Sequence, residues 1–137
     1  MNYLNKQRRI EPIPEYIEEI ASKTIGCALD VHTALGPGLL EKVYENCLIY
    51  ELTENGFNVQ SQVRLPIDYK KLHIKGAYRI DLLIENCLVI EIKTVEEINP
   101  IHQAQLLTYL KLSGYRLGLI INFNTTHLKN GLKRVVN

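Results

Sequence analysis

The chain has 137 residues, 46% of them apolar, and a formal charge of +1, which is the size and make-up of one domain with its own core. No apolar run reaches the roughly 20 residues needed to cross a membrane, and the near-neutral charge carries no bulk signature of a nucleic-acid binder. Three widely spaced cysteines (Cys27, Cys47, Cys87) form no C-x-x-C pair, and with four histidines they show no zinc-like spacing, so neither a disulfide framework nor a zinc ribbon is expected.

Residues 1–13 read as a flexible start to a single domain spanning 1–137. Their charges are followed by no apolar stretch, so no secretory signal is read and a reduced, cytoplasmic setting is the expectation. Pro12 and Pro14 mark entry into a first helix. Its apolar positions, among them Ile17, Ala21, Ala28 and Val31, recur at helical spacing to about Leu35, where Gly36-Pro37-Gly38 breaks it. A second helix is expected from about Leu39 to Asn55, with Gly56 as C-cap. From Phe57 the period changes to two: Val59, Ser61, Val63 and Leu65 alternate with Gln60, Gln62 and Arg64. Asp68 to Lys71 reads as a turn. Two apolar stretches, Tyr78–Ile84 and Leu88–Thr94, flank Glu85-Asn86-Cys87 as a hairpin. A third helix is expected from Pro100 to Leu112, with Asn99 as N-cap and Gly114 as its stop. The run from Tyr115 to Phe123 reads as a buried strand, and a short strand is expected near Leu132–Val136. A strand–helix–strand unit over Leu88–Phe123 predicts a right-handed crossover between parallel strands. The expected fold is α/β with a mixed central sheet. Basic clusters, including Lys70, Lys71, Lys75 and Arg79, read first as solvated charge.

Parity on the hairpin brings its charged residues together. Side chains alternate faces along a strand, so Ile80, Leu82 and Ile84 are expected on one face with Leu88, Ile90 and Ile92. Arg79, Asp81, Glu91 and Lys93 then share the other. The three-residue loop predicts the register Ile84 with Leu88, Leu82 with Ile90, and Asp81 with Glu91. Two carboxylates facing each other repel by roughly 0.2–1 kcal/mol, and a divalent cation would offset that. Geometry alone leaves a metal site and a salt-bridged polar face equally open.

Asp81 followed after nine residues by Glu91-Ile92-Lys93 resembles the D…(D/E)-x-K signature of the PD-(D/E)XK nuclease superfamily. Gly38-Leu39-Leu40-Glu41-Lys42-Val43-Tyr44 matches G-x-x-E-x-x-Y and resembles the GxxExxY proteins of that superfamily. Gln105 to Tyr109 matches Q-x-x-x-Y, similar to the helix motif of RecB-type exonucleases, and GYRLGLIINF resembles the final core strand. The resemblance covers about residues 17–124. It implies a restriction-endonuclease-like core and a metal-dependent nuclease with DNA as the expected partner. It also implies Mg2+ or Mn2+ held by Glu41, Asp81, Glu91 and the main-chain carbonyl of Ile92, with Lys93 on the attacking water. The proline of the signature is replaced by Ile80.

Gln105 and Tyr109, four apart on a helix, share a face, and by resemblance contact substrate. Arg79 is a candidate phosphate holder or a counter-ion for the carboxylates. His102 is a candidate for reaching the phosphate or for capping its helix. Tyr44 and His32 are expected to support the site by packing and hydrogen bonding. Two other readings compete with the nuclease: an idle module that binds nucleic acid or a protein, and a hydrolase of another phosphate. A small catalytic core leaves room for a second copy or a protein partner to supply specificity.

Overall fold

A computed structural model describes residues 10–137. The expectation of a flexible start concerns mainly residues 1–9, which lie outside the described residues. The segment just after them is tied down: Arg116 Nη2 donates to the Glu11 carbonyl at 2.5 Å, and Ile13 packs on the core.

Three α-helices, α1 (Glu15–Leu35), α2 (Glu41–Glu54) and α3 (Pro100–Ser113), cover a sheet of five strands. These are β1 (Val59–Tyr69), β2 (Leu72–Ile84), β3 (Leu88–Lys93), β4 (Leu117–Asn122) and β5 (Leu132–Val136), lying in sequence order across the sheet. Only the β3–β4 pair, joined through α3, is parallel; the other pairs are antiparallel. The fold is thus α/β with a mixed sheet.

Two cores lie on the two faces of the sheet. On one, α1 and α2 pack Ile17, Ala28, Val31, Tyr44 and Leu48 over Leu82, Ile90, Ile92 and Ile121. On the other, α3 packs Leu106, Tyr109 and Leu110 over Leu83, Val89 and Ile120. Apolar cover on both faces explains why β3 and β4 read as near-continuous hydrophobic runs. Among the described residues no helix is long and apolar enough to cross a membrane.

The turn between α1 and α2 is clamped by Tyr44, whose hydroxyl donates to the Gly36 carbonyl at 2.5 Å and accepts from the Leu39 N–H at 3.1 Å. Its ring is fully buried and stacks on Phe123 at 4.5 Å. Gly36 and Gly38 take φ of 66° and 97°, the left-handed region that glycine enters without a Cβ penalty. Gly114 ends α3 in the same way, at φ 82°.

Two expectations need correction. β2 begins at Leu72, six residues before the expected Tyr78, so β1 and β2 form a long hairpin whose turn is Lys70–Lys71 alone. The facing of Ile80 is also reversed. Leu82 and Ile84 belong to the α1–α2 core as expected, but Ile80 belongs to the α3 core. Alternation fails in both strands at one point: Val59 lies against the α1–α2 core and Val63 against the α3 core. Between them Gln62 adopts φ 54°. A left-handed residue rotates the following chain, and simple alternation in the sequence contains no sign of it.

Candidate active site

The kink falls where the candidate site residues Asp81 and Glu91 meet. The β2–β3 ladder pairs Ile84 with Leu88, Leu83 with Val89 and Leu82 with Ile90, in the expected register, and then stops. Where the next rung would be, the carboxylates take over. Asp81 Oδ2 accepts the Ile92 N–H at 2.8 Å, and Glu91 Oε1 accepts the Asp81 N–H at 3.3 Å. Each acid therefore fills a backbone bond that the parted strands can no longer make to each other.

Such an exchange puts two acids in poorly solvated surroundings. Glu91 is 7% exposed, and burial, reinforced by the negative charge of Asp81, pushes its carboxyl up to about 8. Burial also raises Asp81, against the pull of the Ile92 amide. Glu41, at the first turn of α2, is raised by partial desolvation and then by Asp81. Lys93 opposes all three shifts with its positive charge. Glu41, Asp81, Glu91 and Lys93 thus share one electrostatic neighbourhood, assembled from α2, β2 and β3.

An open cleft of about 300 Å³ lies over this neighbourhood, lined by Glu41, Lys42, Glu45, Gln62, Arg79 and Asp81. A larger cleft of about 590 Å³ beside Ile10 shares none of these residues. Glu45 and Gln62 are additions to the site expected from sequence. Glu45 is 4% exposed; its Oε1 accepts from Gln62 Nε2 at 2.7 Å and lies 3.6 Å from Lys42 Nζ. Gln62 Oε1 is buried without a partner. The signal for Glu45 was its place one turn after Glu41 on the same helical face. Gln62 had none, because its role depends on the kink.

The donor set suits a hard divalent cation: carboxylate oxygens, mutually destabilised, beside an unpartnered amide oxygen. Among the described residues no three Asp, Glu, His or Cys side chains converge on a single point. Asp81 and Glu91 would have to turn from the amides they now accept to face a common ion.

This constellation of two strand carboxylates, a lysine two residues on and an acid from a preceding helix can be set beside known proteins. A family model for the PD-(D/E)XK nuclease superfamily matches residues 18–135. The chain belongs to that superfamily. A solved structure titled "Crystal structure of SSO0001" superposes with a TM-score of 0.54 at 22% identity, over 70% of this chain and 49% of the other. The chain thus spans about half the length of that structure, and the likeness concerns the fold. No curated protein matches the sequence.

The remaining predicted residues of this superfamily member fall in three places. Gln105 and Tyr109 line a second hollow of about 300 Å³ between α3 and β2, with Tyr78, Ile101, Ala104 and Thr108. Gln105 is exposed there. Tyr109 is buried, its ring 5.2 Å from that of Tyr78, and its phenol is pushed up to about 12 by burial and then by the charge of Glu91. His102 caps its helix: Nδ1 accepts the Asn99 N–H at 3.1 Å. Tyr44 and His32 make scaffold contacts. Tyr44 holds the interhelical turn, and His32 Nε2 donates to the Thr125 carbonyl at 2.8 Å.

Asn122 was hidden inside an apolar run, yet it fixes the chain just beyond Lys93. Its Oδ1 accepts the Val95 N–H at 3.1 Å, its Nδ2 donates to the Val95 carbonyl at 2.8 Å, and it is 1% exposed. Because Lys93 pairs with Asn122 across the β3–β4 ladder, this contact anchors the end of β3 that bears the lysine.

Proposed function

We propose that the protein is a cytoplasmic, metal-dependent nuclease that hydrolyses phosphodiester bonds in DNA, with Mg2+ or Mn2+ as cofactor, and that it belongs to the GxxExxY group through Gly38, Glu41 and Tyr44. The observation that carries the reading is the parting of β2 and β3 around Asp81 and Glu91, with Lys93 and Glu41 in the same field. A bound divalent cation supplies a water of lowered pKa and a Lewis acid for the phosphoryl oxygen.

The chain's own groups do the rest. Asp81 and Glu91 would hold the cation, with Glu41 as a further acid. The Ile92 carbonyl would join them, since the N–H and C=O of one strand residue point to the same edge and the Ile92 N–H already points at Asp81. Glu91 would serve as a ligand in its ionised form. The Lys93 ammonium orients the attacking water and offsets charge on the phosphorane. Arg79, on the cleft wall, holds a phosphate of the substrate. Gln105 offers its amide, and Tyr109 its phenol, to the adjoining nucleotide. With Nδ1 engaged as acceptor, a neutral His102 carries its proton on Nε2, as a donor at the start of α3. Tyr44 and His32 keep the helices in place.

The test is calorimetric titration of Mg2+ and Mn2+ into the protein and into Asp81→Ala, with cleavage assays on single- and double-stranded DNA and RNA. Binding and cleavage that both vanish in the variant support the nuclease. Binding without cleavage on any substrate leaves a module that holds nucleic acid or a protein partner. No binding by the unaltered protein sinks the catalytic reading.

A further inference from the structure

The β1–β2 hairpin continues past the cleft as an arm. Its second rung beyond Gln62 and Asp81, after Val63 with Ile80, sets Arg64 directly opposite Arg79, and both are exposed. Like charges across a rung are unfavourable, and among the described residues neither arginine makes an ion pair. Arg79 acts on Asp81 through space across the cleft, and among the described residues no carboxylate pairs with Arg64. Farther out, Lys70 and Lys71 form the turn and Lys75 follows on β2. The arm carries five of the sixteen Lys and Arg residues of the chain against one carboxylate, Asp68, which is engaged by His73. A nearly neutral protein thus concentrates its positive charge on one projecting ribbon.

The base of the arm is fixed. Its other face presents Leu65 and Tyr78 to the core beneath α3, so the arginine face cannot turn inward. Arg64 and Arg79 lie one side-chain row from Gln62 and Asp81, roughly 7 Å along the strand. A polyanion on that face has one phosphate over the carboxylates and the next between the arginines. A two-stranded ribbon also has the width to enter the major groove of a duplex. Single-strand tracks instead need rows of stacking aromatics. On the arm, Tyr69 has the Lys70 ammonium 5.4 Å from its ring centroid.

We propose that this arm is the substrate-binding track. Arg64 and Arg79 grip the phosphate next to the scissile one, while Lys70, Lys71 and Lys75 follow the backbone of double-stranded nucleic acid. The proposal rests on the nuclease reading for its orientation on the site, and names the substrate of that site as a duplex.

The test is fluorescence anisotropy of a labelled DNA duplex and of the matching single strand, with Ca2+ in place of Mg2+, from 50 to 200 mM salt. The proteins are the unaltered chain, Arg64→Gln, and the triple variant Lys70→Gln/Lys71→Gln/Lys75→Gln. About five phosphate contacts predict a log–log salt slope near −4.5 for the unaltered protein, and the triple variant loses roughly 2.7 of it, with affinity down at least tenfold. Arg64→Gln loses about 0.9 of the slope. Calorimetric Mg2+ binding stays unchanged in both variants, which reports that the fold and the carboxylate site are intact. Duplex binding with an unchanged slope in the triple variant overturns the track. Single strand bound as tightly as duplex overturns the duplex assignment. If the unaltered protein binds no metal but shows the predicted duplex slope, the nuclease reading falls and the arm stands.

Discussion

Glu91 is the residue whose titration reports most directly on the site. Its folded value, about 8, lies above the ordinary 4.5, so the folded state holds a proton that the unfolded chain releases. For this group the metal-free protein is most stable below about pH 4.5 and loses stability as pH rises toward 8. Glu91→Gln, neutral at every pH, removes that loss. The variant is expected to unfold at higher urea than the unaltered protein at pH 8, and at about the same urea at pH 4.5, read by circular dichroism. Its Mg2+ binding should be abolished. Equal midpoints at pH 8 would show that burial of this carboxylate carries no cost. The approach of Asp81 to Glu91 was legible in the sequence, because the three-residue loop sets the register up to Leu82 with Ile90, although the expected rung between the two acids is not formed. What the pair does with its oxygens was not: acceptance of the Ile92 and Asp81 amides follows from the strands parting, and no residue type announces that.

At the scale of elements, close packing of α3 on the sheet depends on one glycine. A Cβ built at Gly118 on β4 would come within 2.9 Å of Leu106 Cδ1 on α3. Gly118→Ala should cost about 1–3 kcal/mol, the range for overpacking a tight core, measured by urea unfolding. Loss of the Gly118→Ala penalty in a Leu106→Ala background, read as a double-mutant cycle, would identify the clash as the cause. The turn between α1 and α2 makes a second case. Tyr44→Phe leaves the Gly36 carbonyl and the Leu39 N–H without their partner, and should cost about 1–2 kcal/mol by the same assay. Helices and strands were readable because their periods, caps and breakers are local. Gly36, Gly56 and Gly114 all sit at positive φ where a helix ends. The kink at Gln62 was unreadable for the complementary reason: a glutamine at φ 54° is held there by tertiary contacts, including its bond to Glu45. Glu45 and Gln62 therefore surfaced only once α2 was seen to cover that point of the sheet.

For the whole molecule, the acids, the parted ladder and the raised pKa values make one linked equilibrium. A cation that binds the folded chain and not the unfolded one stabilises it by RT ln(1 + [L]/Kd), about 2.7 kcal/mol at a hundredfold excess over Kd. The same cation must displace the proton on Glu91, so its affinity should climb as pH rises toward 8 and level off above. The melting temperature is therefore expected to rise with Mg2+ or Mn2+ at pH 8, and to rise much less at pH 5.5. Asp81→Asn should abolish the increment at both. The metal-free protein has the opposite pH trend for this group, so added metal should convert a fall in stability between pH 5.5 and 8 into a smaller fall or a gain. A thermal shift of equal size at both pH values would mean that the ion binds elsewhere, since a site that includes Glu91 cannot ignore the proton it has to expel.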